Sequence, residues 1–471
     1  MSNLSKKIFS SGIQAIATQL LGGIFFYMTS LYLSKVDFAI LGWANAIALT
    51  IILFLSFGLE PIVIRKIASN NASGWVTSVY FLHNIVFSIL ALITLILVGL
   101  FTVGKIDLRI LPWLFISQAF IFIALPLKQS LNAREKFAPY AIVSLSSNLF
   151  KIILALILSY FRKITLNNVV IIFVATSFFE FISIFLYVKV YQQFSLFFRR
   201  RAYFSLIKVS FPQYVSVLFD ALLGRIDWII LGFVSTKIAL ADYSFAYKMY
   251  ELSRLPIFII SPLLLTKFSR AAGKRYLDEN RKKDIQYLFT MEMFIAVLLP
   301  LCLNIVWGTL VDAITDNKYG STNNYCFFIL SSCITINFAI NFMWTSLIAL
   351  KRYKVISVAL AISTIFNLIL NIILIPQYNK IGAAYSYLFA MLGQATIFYF
   401  YFRKTIFNVS IKSFFIFISY AICAYFCSKW ITDNVLMELF CCVFIYSILC
   451  VLTGQIKLIH LRWLKELFRT N

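Results

Sequence analysis

Fourteen unbroken apolar stretches, each about as long as a bilayer-spanning helix, constrain this chain more than any other feature. They run at approximately 8–33, 38–60, 75–101, 110–130, 139–160, 168–190, 206–234, 240–266, 286–307, 325–350, 355–376, 381–402, 411–430 and 435–454, separated by charged residues or Asn, Gly and Pro clusters. Of the 471 residues, 61% are hydrophobic, against roughly 45 to 50% in a soluble domain. No water-soluble core hides that much apolar surface, and a disordered basic chain is excluded because disorder requires low hydrophobicity. The stretches are continuously apolar, whereas barrel strands alternate, so helices are expected. The sequence therefore predicts an all-α polytopic membrane protein. Its first stretch follows Lys6 and Lys7 as a signal peptide would, but its length and the polar Gln14 and Gln19 mark a retained span.

Lysine and arginine set the orientation. With the N-terminus in the cytoplasm, the inward connections hold about 29 of them and the outward ones about 9, which predicts both termini inside. The net charge of +24 then reads as an orientation signal and an attraction to anionic inner-leaflet lipid, not as a nucleic-acid footprint. Over 456–471, Leu458, Leu461, Leu464 and Leu467 alternate with Lys457, Arg462, Lys465 and Arg469, which suits a helix lying in the interface. The eight cysteines form no Cys-x-x-Cys pair and the two histidines are His83 and His460, so no metal, cofactor or disulfide is expected. No phosphate-binding loop occurs either, which argues against an ATP-driven pump.

The chain repeats itself. At an offset of 216 residues, Ser130, Leu131, Ala133, Ser147, Phe150, Ile153, Leu154, Ile157 and Leu158 fall on Ser346, Leu347, Ala349, Ser363, Phe366, Ile369, Leu370, Ile373 and Leu374, and Lys136 and Phe137 on Arg352 and Tyr353. A second register, near 201, sets Pro61 and Lys66 on Pro262 and Lys267. Both map each span onto the sixth span after it in the same orientation, the pattern of parallel six-helix repeats with a substrate path between them. The expected organisation is a six-helix lobe over 1–195, a second over 196–405, two additional helices over 406–455 and the amphipathic tail.

An ionisable residue at mid-bilayer costs about 2.5 to 3.5 kcal/mol, so one that is retained faces a cavity or a partner. The seventh span carries Asp220, Arg225 and Asp227. The eighth carries Lys248, Glu251 and Arg254, followed by Pro256 and Pro262. On a continuous helix Asp220 and Asp227 share a face, and Glu251 is three residues from both Lys248 and Arg254. Local pairing and a wet central cavity both account for these six. Lys151 has no acid in its own span; Glu180 in the sixth is a candidate partner, an anionic substrate another. His83 is expected in a hydrogen-bonded helix contact, and Asn367 and Asn371 in interhelical hydrogen bonds.

Pro212, Asp227 with Ile229, Ile230, Leu231 and Gly232, then Tyr243, Ser244, Ala246, Lys248, Glu251, Leu252 and Pro256 together resemble the second-half signature of bacterial polysaccharide flippases, the Wzx type of the multidrug/oligosaccharidyl-lipid/polysaccharide exporter superfamily. The phrase Leu131, Asn132, Ala133, Arg134, Glu135, Lys136, Phe137 is similar to that family's turn between spans four and five. The resemblance implies two V-shaped lobes in the bacterial inner membrane. By alternating access they would move undecaprenyl-diphosphate-linked oligosaccharide, such as an O-antigen unit of lipopolysaccharide, to the outer leaflet. It implies a cationic cavity, for which Arg225, Lys248, Arg254 and Lys151 are the candidates. Asp220, Asp227, Glu251 and Glu180 are the candidates for ion coupling or charge balance. Spans one and two offer Gln14, Gln19 and Asn45 where the family has buried basic residues. A glycan polymerase and a chain-length regulator are the implied partners. Alternatives are a peptidoglycan-precursor flippase, a drug/cation antiporter of the same superfamily, and a membrane glycan polymerase; the polymerase would need a large outer loop, and the longest, 308–324, has no His or Arg.

Overall fold

A computed structural model describes residues 3–69, 73–101, 109–192, 194–272 and 278–456. The expected interfacial tail lies outside the described residues beyond Ile456, as does the side chain of Gln14. In chain order the helices are α1 (Asn3–Tyr32), α2 (Lys35–Leu55), α3 (Leu59–Ser69), α4 (Ser73–Phe101), α5 (Leu111–Ala133), α6 (Phe137–Tyr160), α7 (Leu166–Gln192), α8 (Arg200–Leu223), α9 (Ile226–Val234), α10 (Lys237–Ser253), α11 (Leu255–Ala272), α12 (Glu279–Thr315), α13 (Asn324–Ala349), α14 (Tyr353–Phe402), α15 (Lys412–Ile431) and α16 (Val435–Leu452). No strand occurs among the described residues. That follows from the solvent: in hydrocarbon every backbone N–H and C=O must be satisfied within its own segment.

Eleven of these helices are long and apolar enough to cross a membrane, twelve if the bent pair α10–α11 is one span, against the fourteen expected. Two features account for the difference. The described apolar part of α1, Ile16–Tyr32, is shorter than the rest. The 50-residue α14 is two helices joined at Asn379, whose φ of 51° and ψ of −128° are not helical.

The described residues fall into two compact units, a first over 7–241 and a second over 242–456 that also includes residues 3–6. The first unit includes α8 and α9 because they pack on α2 and α3. In it α5 is the central helix, packed against α2, α3, α4, α6 and α7. In the second unit α13 holds that place, against α11, α12 and α14. These are the fourth and tenth apolar stretches. The turns that follow them are superimposable in hydrogen bonding: Lys136 N–H donates to Leu131 O and Arg352 N–H to Leu347 O, each at 2.9 Å. Glu135 and Lys351, 216 positions apart, both have φ of 57°. At this turn the sequence repeat is also a repeat of backbone conformation.

The outer faces of α4, α6 and α7 carry exposed Ile89, Leu90, Ile93, Ile153, Leu156 and Ile171, a surface suited to lipid tails rather than water.

Candidate functional site

Two apolar spans are broken along their length, at α8–α9 and α10–α11, and another break ends the second span after α2. Between α2 and α3, Phe57 and Gly58 take φ of 47° and 61° in succession. The break frees carbonyls that a helix would have used, and side chains take them up. His83 Nε2 lies 2.8 Å from Leu55 O, and Tyr214 OH donates to Phe54 O at 2.9 Å. Because the carbonyl can only accept, Nε2 carries the hydrogen, and Nδ1, 2.9 Å from Tyr203 OH, is the acceptor in the neutral ring. His83 is thus a carbonyl cap tying α4 to the break and to α8.

The second break separates α8 from α9 at Gly224 and Arg225. Arg225 is the residue preceding α9, with φ of −137°, and its Nη1 reaches Ala221 O at 3.5 Å. This corrects the expectation that Asp220 and Asp227 share a helical face, because the helix between them is interrupted. Asp220 is exposed, whereas Asp227 is 1% exposed in the first turn of α9. Trp43 on α2 donates to Ile229 O at 3.3 Å and holds α9 in place.

The third break, between α10 and α11, falls at Arg254, where turn hydrogen bonds run from Arg254 N–H to Glu251 O and from Ile257 N–H to Arg254 O. The guanidinium lies over the Tyr250 ring at 4.8 Å. Tyr250 OH and Tyr387 OH are 3.1 Å apart, and Tyr247 packs edge-on against both rings. Arg254 Nε is buried without a hydrogen-bond partner. Glu251 pairs with Lys248 at 2.6 Å rather than with Arg254, so Lys248 is already neutralised.

Lys151 and Glu180, one of the candidate pairings, do not form an ion pair. Glu180 is bonded to Lys128 on α5 at 2.5 Å and to Ser144 Oγ at 3.0 Å. Lys151 instead lies over the rings of Phe25 and Phe173, 5.6 and 5.0 Å from their centroids. Sequence reasoning overlooked Lys128 because it stands two residues before the end of its apolar stretch, where a lysine reads as a loop charge. Asn371 Nδ2 donates to Asn367 Oδ1 at 2.9 Å within α14, so that bond joins turns of one helix rather than two helices. Of the predicted residues, Lys151, Glu180, Asp220, Arg225 and Asp227 belong to the first unit, and Lys248, Glu251 and Arg254 to the second. Among the described residues no three His, Cys, Asp or Glu are grouped to hold a metal ion.

Broken helices inside the bilayer are tolerated where they line a cavity, and they are a recurring feature of secondary transporters. The fold is that of transporters of the MOP superfamily. A lipid II flippase MurJ in an inward closed conformation matches with a TM-score of 0.76 at 19% identity, over 94% of this chain and 98% of that one. An inward-facing MATE family multidrug resistance transporter of the MOP superfamily matches at 0.67 and 13% identity, over 83% and 94%. The Vibrio cholerae MATE transporter VcmN matches at 0.60 and 13%, over 88% and 99%. No curated protein matches by sequence. The family model described as polysaccharide biosynthesis protein matches residues 4–265, and the chain belongs to that family.

Proposed function

We propose that the chain is a flippase of the bacterial inner membrane that carries an undecaprenyl-diphosphate-linked oligosaccharide, such as an O-antigen repeat unit, from the inner to the outer leaflet by alternating access. The observation that carries this reading is the pair of arginines at helix breaks. Arg225 and Arg254 each interrupt a span, and neither has a carboxylate within ion-pair distance among the described residues. A diphosphate is dianionic or more and needs donors in a low-dielectric cleft, where arginine offers a planar fork matched to phosphate oxygens. The tyrosines around Arg254 are buried and bonded to one another, and the Tyr250 ring holds the guanidinium in place. Lys151, held over two rings with no salt bridge among the described residues, is a third cation for the same task; Lys248, paired with Glu251, is a weaker one.

Membership in the polysaccharide biosynthesis family supports a glycan-lipid substrate. The likeness to MurJ favours, as a second reading, a peptidoglycan lipid precursor as cargo. The polymerase and chain-length regulator remain proposed partners, and both termini are proposed to lie in the cytoplasm. Deleting the gene and identifying which undecaprenyl-linked sugar builds up on the inner leaflet tests the proposal. A surface-polysaccharide unit is the expected result, a peptidoglycan precursor selects the second reading, and unpolymerised glycan on the outer leaflet overturns both.

A further inference from the structure

The second unit buries an acid for which the cationic reading has no use. Glu292 on α12 is 3% exposed. Its Oε1 accepts a hydrogen bond from Asn341 Nδ2 on α13 at 3.0 Å, and its Oε2 is buried with no partner. Among the described residues no Lys, Arg or His stands within ion-pair distance of it. Titratable side chains on the helices packed against α12, among them Cys333 on α13, Tyr420 on α15 and Tyr446 on α16, make no bond to it either; Tyr446 OH donates instead to Phe294 O. Asn341 passes the contact on, because its Oδ1 accepts from Ser261 Oγ on α11. Ser261 stands just after the 41° bend between Lys237–Phe258 and Ile260–Ala272 and just before Pro262.

An ionised carboxylate has about four lone-pair sites to satisfy, and this one finds a single donor. A protonated carboxyl has an O–H to give as well. Turning the Asn341 amide by half a revolution preserves its shape, offers Oδ1 to that O–H and turns Nδ2 toward Ser261 Oγ. The ionised acid therefore selects one amide orientation and the protonated acid the other. Ser261 changes from donor to acceptor between them.

We propose that Glu292 is a proton-binding site whose occupancy is relayed through Asn341 and Ser261 to the bend between Phe258 and Ile260 in α11, making the transport cycle proton-dependent. The proton adds to a carboxylate oxygen and leaves to water past Asn341 and Ser261, both only half-buried. A sodium ion suits the site less well: hard cations take several oxygen ligands, and here an N–H faces Oε1 while Asn341 Oδ1 is engaged by Ser261. The coupling to transport rests on the function proposed above, but the proton site does not.

The test uses the full chain, purified for infrared titration and reconstituted in vesicles with a fluorescent polyprenyl-diphosphate disaccharide. Wild type is expected to show a protonated-carboxyl band that titrates with pH. The nearly isosteric Glu292→Gln variant loses that band, and Asn341→Leu retains it at a shifted position. In vesicles Glu292→Gln loses the response of probe movement to an imposed pH gradient. Persistence of the full band in Glu292→Gln overturns the proton site. An unaltered response to the pH gradient, or dependence on a sodium gradient instead, overturns the coupling. Absence of probe movement in wild type together with loss of the band in the variant supports the proton site and counts against the proposed cargo.

Discussion

Lys128 Nζ and Glu180 Oε1 meet at 2.5 Å inside the first unit, joining α5 to α7 with both side chains under a tenth exposed. Tyr140 covers the ammonium from α6, its ring centroid 5.7 Å away, and Ser144 supplies the second bond to the same carboxylate oxygen. Three helices are therefore fastened at one point. Removing one member of a buried pair leaves an uncompensated charge and costs about 3 to 5 kcal/mol. Glu180→Leu and Lys128→Met should each lower the melting temperature of the purified protein, whereas the double variant should recover most of the loss. A double variant as unstable as the worse single one contradicts a compensating pair.

Lys151 presents the opposite case. It has two aromatic faces and, among the described residues, no salt bridge, and a methionine of similar length keeps a favourable contact with both rings while removing the charge. Lys151→Met is expected to keep the wild-type melting temperature and to lower glycan export by about ten- to a hundredfold, the effect of losing one charge-assisted contact of roughly 1.5 to 3 kcal/mol. Loss of stability with export unchanged would make Lys151 a structural residue.

Gly58 sits at the break of the second span with φ of +61°, and a Cβ there would come within 2.7 Å of Tyr214 Cα. An L-residue in that conformation costs roughly 1 to 2 kcal/mol, and the clash pushes α8 from the carbonyl that Tyr214 caps. Gly58→Ala should lower the melting temperature, as should His83→Ala, which uncaps Leu55 O. Gly22→Ala, where an added Cβ meets nothing within 4 Å, should not.

The helices and the repeat were legible because lipid enforces them: each span must be apolar along its length, and the 216-residue register passes through the same turn at Glu135 and Lys351. Side-chain partners were not legible, because hydropathy gives no azimuth. Nothing in the sequence says that Glu180 faces Lys128 rather than Lys151. Glu292, between Met291 and Met293 in an apolar run, is as costly to bury as Asp227, but it is the single charged residue of its stretch and so forms no cluster in the sequence. The interruption at Arg225 escaped because Gly224 alone does not break a helix; it does so here where Trp43 binds the carbonyl of Ile229 and α9 is held on α2.

Arg254 offers the sharpest discrimination between a structural and a binding cation. Its guanidinium stacks on Tyr250 and leaves Nε unbonded, so a lysine keeps the charge but loses both the planar stacking and the fork. If the residue serves only the fold, Arg254→Lys and Arg254→Ala should fall in order of stability and export together. If it grips a diphosphate, Arg254→Lys should insert normally, keep its melting temperature and still export about tenfold less, since a bidentate contact becomes a point charge. Arg254→Ala should export still less, and combining it with Arg225→Ala and Lys248→Ala should abolish surface glycan while the protein remains in the membrane. Immunoblotting of the membrane fraction beside a surface-glycan stain reads both quantities from one culture. Wild-type glycan from an inserted triple variant would remove these cations from the transport path.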